Sequence, residues 1–231
     1  MSAEWPGADK RRPRRSLYNW SLREPLARWL ELEGRRAAGL RVLDVGCGDK
    51  PYRPYFADAA EYVGVDVDED ANADLIGPIE ALPVEDESYD LVLCVQVLEH
   101  VEDPAQGVRE LHRVVRPGGR VLAATHGLYV YHPGPVDHWR WTHTGLTRLF
   151  TRNAAWRSVD VRPAGGAATC VTALTAIYAN LLLRRAHLSP VARGVVWLLN
   201  TSGAELDRRV AALREPRPGS IFVNYHVVAQ K

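Results

Sequence analysis

The stretch Val42-Leu-Asp-Val-Gly-Cys-Gly48 constrains this chain more than any other: a short apolar run stops abruptly in a turn of small residues. A run of that length, bounded by turn residues, reads as a strand buried on both faces, as in parallel sheets. Gly46 and Gly48 let backbone approach a ligand closely, and Asp44 adds an acceptor at the end of the strand. Eighteen residues after Gly48, a second run, Glu61-Tyr-Val-Gly-Val-Asp66, ends in an acid. A carboxylate placed there can accept both hydroxyls of a ribose, so turn and acid together point to an adenosine-containing ligand. Positions 46, 48 and 51 read Gly, Gly, Pro, and no Gly-Lys-Ser/Thr ending follows, so neither a dinucleotide loop nor a Walker loop is present. A ligand without a pyrophosphate fits better.

The rest of the chain alternates strands with helices. Tyr89-Asp-Leu-Val-Leu-Cys-Val95 is a third strand, a helix is expected over residues 104–115, Pro117-Gly118-Gly119 ends it, and Arg120-Val-Leu-Ala-Ala-Thr125 is the next strand. Residues 16–38 predict a helix broken or restarted at Pro25. Residues 159–162 and 220–230 predict two further strands, with long helices over 168–187 and 190–213 between them. The fold class is therefore α/β, a doubly wound, mostly parallel sheet with a C-terminal helical insertion before the last strand. At 231 residues it makes one substantial domain.

A net charge of +1 hides an asymmetry: residues 54–108 carry fifteen acids and no Lys or Arg, while residues 140–231 carry thirteen basic residues against four acids. Cys47, Cys94 and Cys170 are too few and scattered for a disulfide framework, so a reducing, cytoplasmic setting is expected. The basic residues 10–15 are followed by no apolar leader, and residues 1–15 are expected to be a flexible tail. Residues 163–183 hold no charge, a length that meets a membrane span, but Gly165, Gly166, Thr169, Thr172, Thr175 and Asn180 dilute it. A buried or interface helix is the favoured reading. Within the insertion, a lid over the ligand pocket is preferred to a homodimer surface or a peripheral membrane contact.

The series Leu43-Asp-Val-Gly-Cys-Gly48, Gly64-Val-Asp66, Ile79-Glu-Ala-Leu-Pro83, Ser88-Tyr-Asp-Leu-Val92, Val97-Leu-Glu-His100 and Val114-Val-Arg-Pro-Gly-Gly119 resembles the class I S-adenosylmethionine-dependent methyltransferases, type 11 group. It covers residues 40–125. The resemblance implies a Rossmann-like fold and S-adenosyl-L-methionine as cofactor, with Asp44, Gly46, Cys47 and Gly48 around its methionine and ribose part. It further implies Asp66 on the ribose hydroxyls, Ile79 and Glu80 beside adenine, and Val95 and Gln96 beside the sulfonium. Where the group often has Gly-Asp, this chain has Gly77-Pro78, so Glu80 or backbone must serve the adenine amine. On this reading residues 16–231 are a single methyltransferase domain, divided into a cofactor-binding core (40–125), an acceptor loop (126–143) and the helical insertion (168–213).

The expected acceptor loop holds His126, Tyr129, His132 and Asp137-His138-Trp139-Arg140-Trp141, and resembles a His-Pro…Asp-Tyr-Trp-Arg-Phe-Thr segment in a subgroup of these enzymes. Its place after a parallel strand is where open α/β sheets form their ligand crevice. His138 oriented by Asp137 is the first candidate base, with His132 and His126 behind it; the structural alternative has Trp139 and Trp141 plugging the core and Arg140 pairing an acid. In a few relatives Glu99 and His100, with an acid one turn earlier, would hold a divalent metal, but that position is Gln96, so no metal is expected. A small-molecule or saccharide hydroxyl is the expected acceptor. The alternatives are a non-catalytic or scaffolding protein that binds the cofactor, and a nucleic-acid methyltransferase. Against the latter, no Asn-Pro-Pro-Tyr or Asp-Pro-Pro-Tyr motif is present and Arg184, Arg185, Arg208 and Arg209 read as solvated helix faces.

Overall fold

The computed structural model describes residues 5–231. The strands are β1 (Arg41–Val45), β2 (Glu61–Asp66), β3 (Leu75–Ile76), β4 (Tyr89–Val95), β5 (Val115–His126), β6 (Ser158–Pro163) and β7 (Asn224–Gln230). The helices are α1 (Ala8–Arg11), α2 (Trp20–Gly34), α3 (Pro104–Val114), α4 (His143–Asn153), α5 (Ala167–Arg185) and α6 (Ser189–Arg209). One sheet takes the order β3-β2-β1-β4-β5-β7-β6, with β7 antiparallel to both of its neighbours and the remaining pairs parallel.

Alternation along each central strand builds the two sides of the core. Leu43, Val45, Val92, Cys94, Val121 and Ala123 face α3 and α4, where Val108, Leu111, Leu146 and Phe150 are fully buried. Val42, Leu91, Leu93, Leu122 and Ala124 face the other way, onto Leu26, Leu30 and Phe56. Both faces of the sheet are therefore covered, which is why these strands read as unbroken apolar runs. Asp103 starts α3 by accepting the amide of Gln106 at 2.9 Å, ahead of Pro104, and Thr142 starts α4 by accepting that of Gly145 at 3.0 Å. The chain moves outward from β1 to β2 on one side and to β4 on the other. The carboxyl ends of β1 and β4 thus flank a topological switch point.

Three expectations need correction. α2 runs through Pro25 without a break; an interior proline costs roughly 3 kcal/mol, a loss that packing of Leu26, Ala27 and Leu30 under the sheet offsets. Pro117-Gly118-Gly119 lies inside β5, which starts at Val115 and absorbs the turn through a register shift opposite Tyr89 and Leu91. Residues 5–15, expected as part of a flexible tail, are docked: the Trp5 indole donates to Lys50 O at 2.8 Å, Arg11 donates to Pro51 O at 2.6 Å, and the Tyr55 hydroxyl donates to Arg11 O at 2.9 Å. Residues 1–4 of that tail lie outside the described residues.

α5 and α6 fold back on each other as a hairpin between β6 and β7. Asp207, at the end of α6, accepts the amides of Gly166, Ala168 and Thr169 at 2.9, 3.1 and 3.0 Å, and so caps the start of α5. Gly203 sits where any side chain would overlap Thr172. The base of the hairpin buries Cys170 and Ala173 with Leu22 and Val223, and Asn200 donates to Arg15 O and Leu17 O at 2.7 and 3.0 Å.

Candidate functional site

The turn after β1 is held open by backbone geometry. Gly46 and Gly48 have φ of 68° and 49°, a region costly for residues with a side chain. A methyl group added at Gly46 would overlap Val97 Cγ2, whereas at Gly48 it would meet open space. Gly48 N donates to Asp66 Oδ2 at 2.7 Å, and Asp68 N donates to Asp66 Oδ1 at 3.0 Å. The acid at the end of β2 is thereby fixed beside the glycine turn, with carboxylate lone pairs left for further donors.

Two cavities meet along the edge formed by this turn and the end of β4. The smaller, of 330 Å³, contains Asp66, Ile79, Glu80, Val97 and His100. The larger, of 500 Å³, contains Asp44, Cys47, Gly48, Val95, His126 and His132, closed by Tyr18 and Asn19 from the N-terminal segment. Gly46 and Gln96 line both. Gln96 has φ of 58°, unusual for a residue with a side chain. Its amide donates to Ala124 O at 2.8 Å and its Nε2 to Asn224 Oδ1 at 3.2 Å, while its buried Oε1 has no partner. All nine residues expected around the cofactor thus line one cavity or the other.

Their electrostatics differ. Asp44 is buried and accepts the Tyr62 hydroxyl at 2.5 Å; burial pushes its carboxyl up to about 7. Burial pushes the Cys47 thiol up to about 12, so it is a packed, unreactive sulfur.

The expected His138–Asp137 pair does not form. His138 is exposed, its backbone amide donates to Glu99 O at 2.9 Å, and it lines neither cavity. Asp137 instead takes Arg140 in a two-pronged pair at 2.5 and 2.6 Å, and accepts the His132 amide at 2.9 Å. The Arg140 guanidinium holds the Asp137 carboxyl at about 2. A charge-assisted, two-pronged fork outcompetes a single hydrogen bond to the imidazole of the adjoining residue. The structural alternative for this segment therefore describes Arg140. Trp141 packs on the main core, while Trp139 stacks on Trp141 at 5.7 Å and donates to Val101 O at 2.8 Å.

His132 does reach the larger cavity, half-buried, together with His126. Their Nε2 atoms lie 3.3 Å apart, and His126 stacks on Tyr129. Burial, and then the neighbouring His132, lower His126 to about 3; burial lowers His132 as well. Both rings are therefore neutral at pH 7. Behind them Glu99 is fully buried, with Oε2 accepting the Thr125 hydroxyl at 2.8 Å and Oε1 at 3.3 Å from His126 Nε2 without the alignment of a hydrogen bond. Burial pushes its carboxyl up to about 7. Glu99, His100 and His132 also bring one ligand atom each within 4.8 Å of one another, a set able to hold a divalent cation.

Tyr18, Asn19 and Tyr52 complete the larger cavity, and nothing in their sequence pattern marks them: Tyr18 and Asn19 arrive with the docked N-terminal segment, and Tyr52 stands in the loop after the glycine turn. No residue of α5 or α6 lines either cavity. The insertion holds the N-terminal segment in place and is not a lid.

Residues 43–123, about a third of the chain, match a family model described as a methyltransferase domain, of the type 11 group. A probable S-adenosylmethionine-dependent methyltransferase of Mycolicibacterium smegmatis is 39% identical over 110 residues, which is 43% of this chain and 43% of that protein. The ubiquinone biosynthesis O-methyltransferase of Acinetobacter baylyi is 32% identical over 114 residues, 42% of this chain and 48% of that protein. The chain thus spans less than half the length of these relatives. Among solved structures, an S-adenosylmethionine-dependent methyltransferase from Archaeoglobus fulgidus shares the fold over 88% of this chain and 94% of its own, with a TM-score of 0.54 at 16% identity.

Proposed function

We propose that the chain is an S-adenosylmethionine-dependent methyltransferase that methylates a hydroxyl oxygen of a small-molecule or saccharide acceptor. The observation that carries this reading is the pair of cavities joined at Gly46 and Gln96, one presenting Asp66 and the other two neutral imidazoles. The site fits the cofactor: a glycine turn open at Gly48, the Asp66 carboxylate fixed beside it, Ile79 in the cavity wall and an unpartnered amide oxygen on Gln96. Asp66 would hold the ribose hydroxyls, Ile79 and Glu80 would flank the adenine, and Val95 and Gln96 would border the sulfonium. S-Adenosylmethionine supplies an electrophilic methyl group on that sulfonium.

The chain's own residues have two tasks, alignment and proton removal. The glycine turn and the end of β4 fix the line of approach. With the cofactor bound and supplying the methyl group, the neutral His132 imidazole would take the proton of the acceptor hydroxyl. His126 at 3.3 Å and the Glu99 carboxyl behind it then offer that proton further sites. Three buried, unpaired thiols support a reducing, cytoplasmic setting.

The grouping of Glu99, His100 and His132 favours a second reading, in which a divalent cation there lowers the acceptor's pKa. Incubating small-metabolite and saccharide pools with methyl-labelled cofactor, with and without chelator, tests both. Labelled ether products support the proposal, and their loss on chelation with recovery on adding metal selects the second reading. Cofactor binding by calorimetry without any labelled product would favour a non-catalytic binding protein.

A further inference from the structure

We infer that Asn224 is a positioning residue: it turns the Gln96 side chain so that the amide oxygen, and not the amide nitrogen, is left to serve the sulfonium end of the cofactor site. The inference rests on the methyltransferase reading above, which sets Gln96 beside the sulfonium, and adds a residue to it. Asn224 opens β7, is fully buried, and is absent from the walls of both cavities. Its Oδ1 accepts Gln96 Nε2 at 3.2 Å, across 128 positions of chain.

Packing alone does not account for this contact. A carboxamide in the interior costs free energy unless its polar atoms are bonded, yet Asn224 Nδ2 is buried without a partner. An apolar side chain of similar size would avoid that cost, so what the asparagine side chain contributes is the one bond it makes, to Gln96. The tie runs from the end of β4 across β5 to β7, where Asn224 pairs with His126. Gln96 is thus held twice, by its backbone amide on Ala124 O at 2.8 Å and by its side chain on Asn224. With Nε2 committed to Asn224, Oε1 is the end of the amide left without a partner, on a residue that lines both cavities. A free carbonyl oxygen offers the negative end of the amide dipole to a cation, whereas a free NH₂ group would repel it. The sulfonium is a cation, and the thioether left after methyl transfer is not.

The test is the calorimetric affinity of the full chain for S-adenosylmethionine and for S-adenosylhomocysteine, which lacks the methyl group and its positive charge. N224L should lower the preference for the charged ligand over the neutral one by about three- to tenfold, the size of one modest polar interaction. Q96M should lower it by a similar factor, and adding N224L to Q96M should lower it no further, because Asn224 acts through Gln96. N224A leaves the same bond unmade and takes the place of N224L if that variant does not fold. Equal weakening of both ligands in N224L overturns the inference and leaves Asn224 a support for the strand. A loss of preference as large in the Q96M background as in wild type overturns it too, since Asn224 would then act by another route. Failure of the folded wild-type chain to bind either ligand overturns the cofactor reading itself, and the inference with it.

Discussion

Substituting Gly46 by Ala tests the turn at the centre of the site, and the structure divides its cost into two parts. The first is conformational: φ is 68° at this residue, and a side chain in the left-handed region costs about 1–2 kcal/mol. The second is steric: the new methyl overlaps Val97 Cγ2, and turning the valine away from its preferred rotamer costs about 0.5–1.5 kcal/mol. Gly46→Ala should therefore destabilise by about 1.5–3.5 kcal/mol, and at ~2–4 °C per kcal/mol for a domain of this size melting falls by about 3–14 °C. Val97→Ala removes the steric part alone. In a double-mutant cycle followed by urea unfolding, G46A should cost about 0.5–1.5 kcal/mol less in a V97A background than in wild type. Cofactor affinity by calorimetry should recover in the same direction. Strict additivity of the two substitutions would refute the contact, and a wild-type melting point for G46A would refute the backbone argument as well.

Asp66→Ala should weaken S-adenosylmethionine binding by about ten- to a hundredfold, from roughly 1.5–3 kcal/mol for charge-assisted hydrogen bonds; unchanged calorimetric affinity in a folded variant would remove the ribose assignment. His132→Ala should lower kcat by about 10²–10⁴ with cofactor affinity nearly intact, while His138→Ala leaves kcat within about threefold. The reverse ranking would restore the dyad with Asp137. Glu99 has its folded-state pKa raised from 4.5 to about 7, so it favours folding below its unfolded pKa and loses that advantage as pH rises through 7. Glu99→Gln should thus gain in melting temperature relative to wild type between pH 5 and pH 8; a difference that is flat with pH would show that the carboxyl is not titrating there.

The parts of this molecule legible in its sequence are those where local chemistry decides. Val42 to Gly48 announces a buried strand and a positive-φ turn because few other structures tolerate that pattern, and Asp66 follows at the interval that a neighbouring parallel strand imposes. His138 misled for a physical reason: adjacency to Asp137 in sequence says nothing about which partner wins the carboxylate, and Arg140 three residues on wins it. Glu99 was visible as an acid after the β4 strand, but not as a fully buried carboxyl behind two imidazoles, since burial is a tertiary property. The basic N-terminal segment looked solvated because its anchors, Lys50 O and Pro51 O, are backbone atoms some forty residues away.

The carboxylate of Asp207 fastens the two ends of the hairpin at a single point, where Gly166 enters and Asp207 leaves. With its ends clamped together, the pair behaves as a detachable arm: turns added to or removed from its far end leave the strand that precedes it and the strand that follows it in register. Chains built on this frame can therefore lengthen or shorten the arm without shifting the strands whose ends border the two cavities.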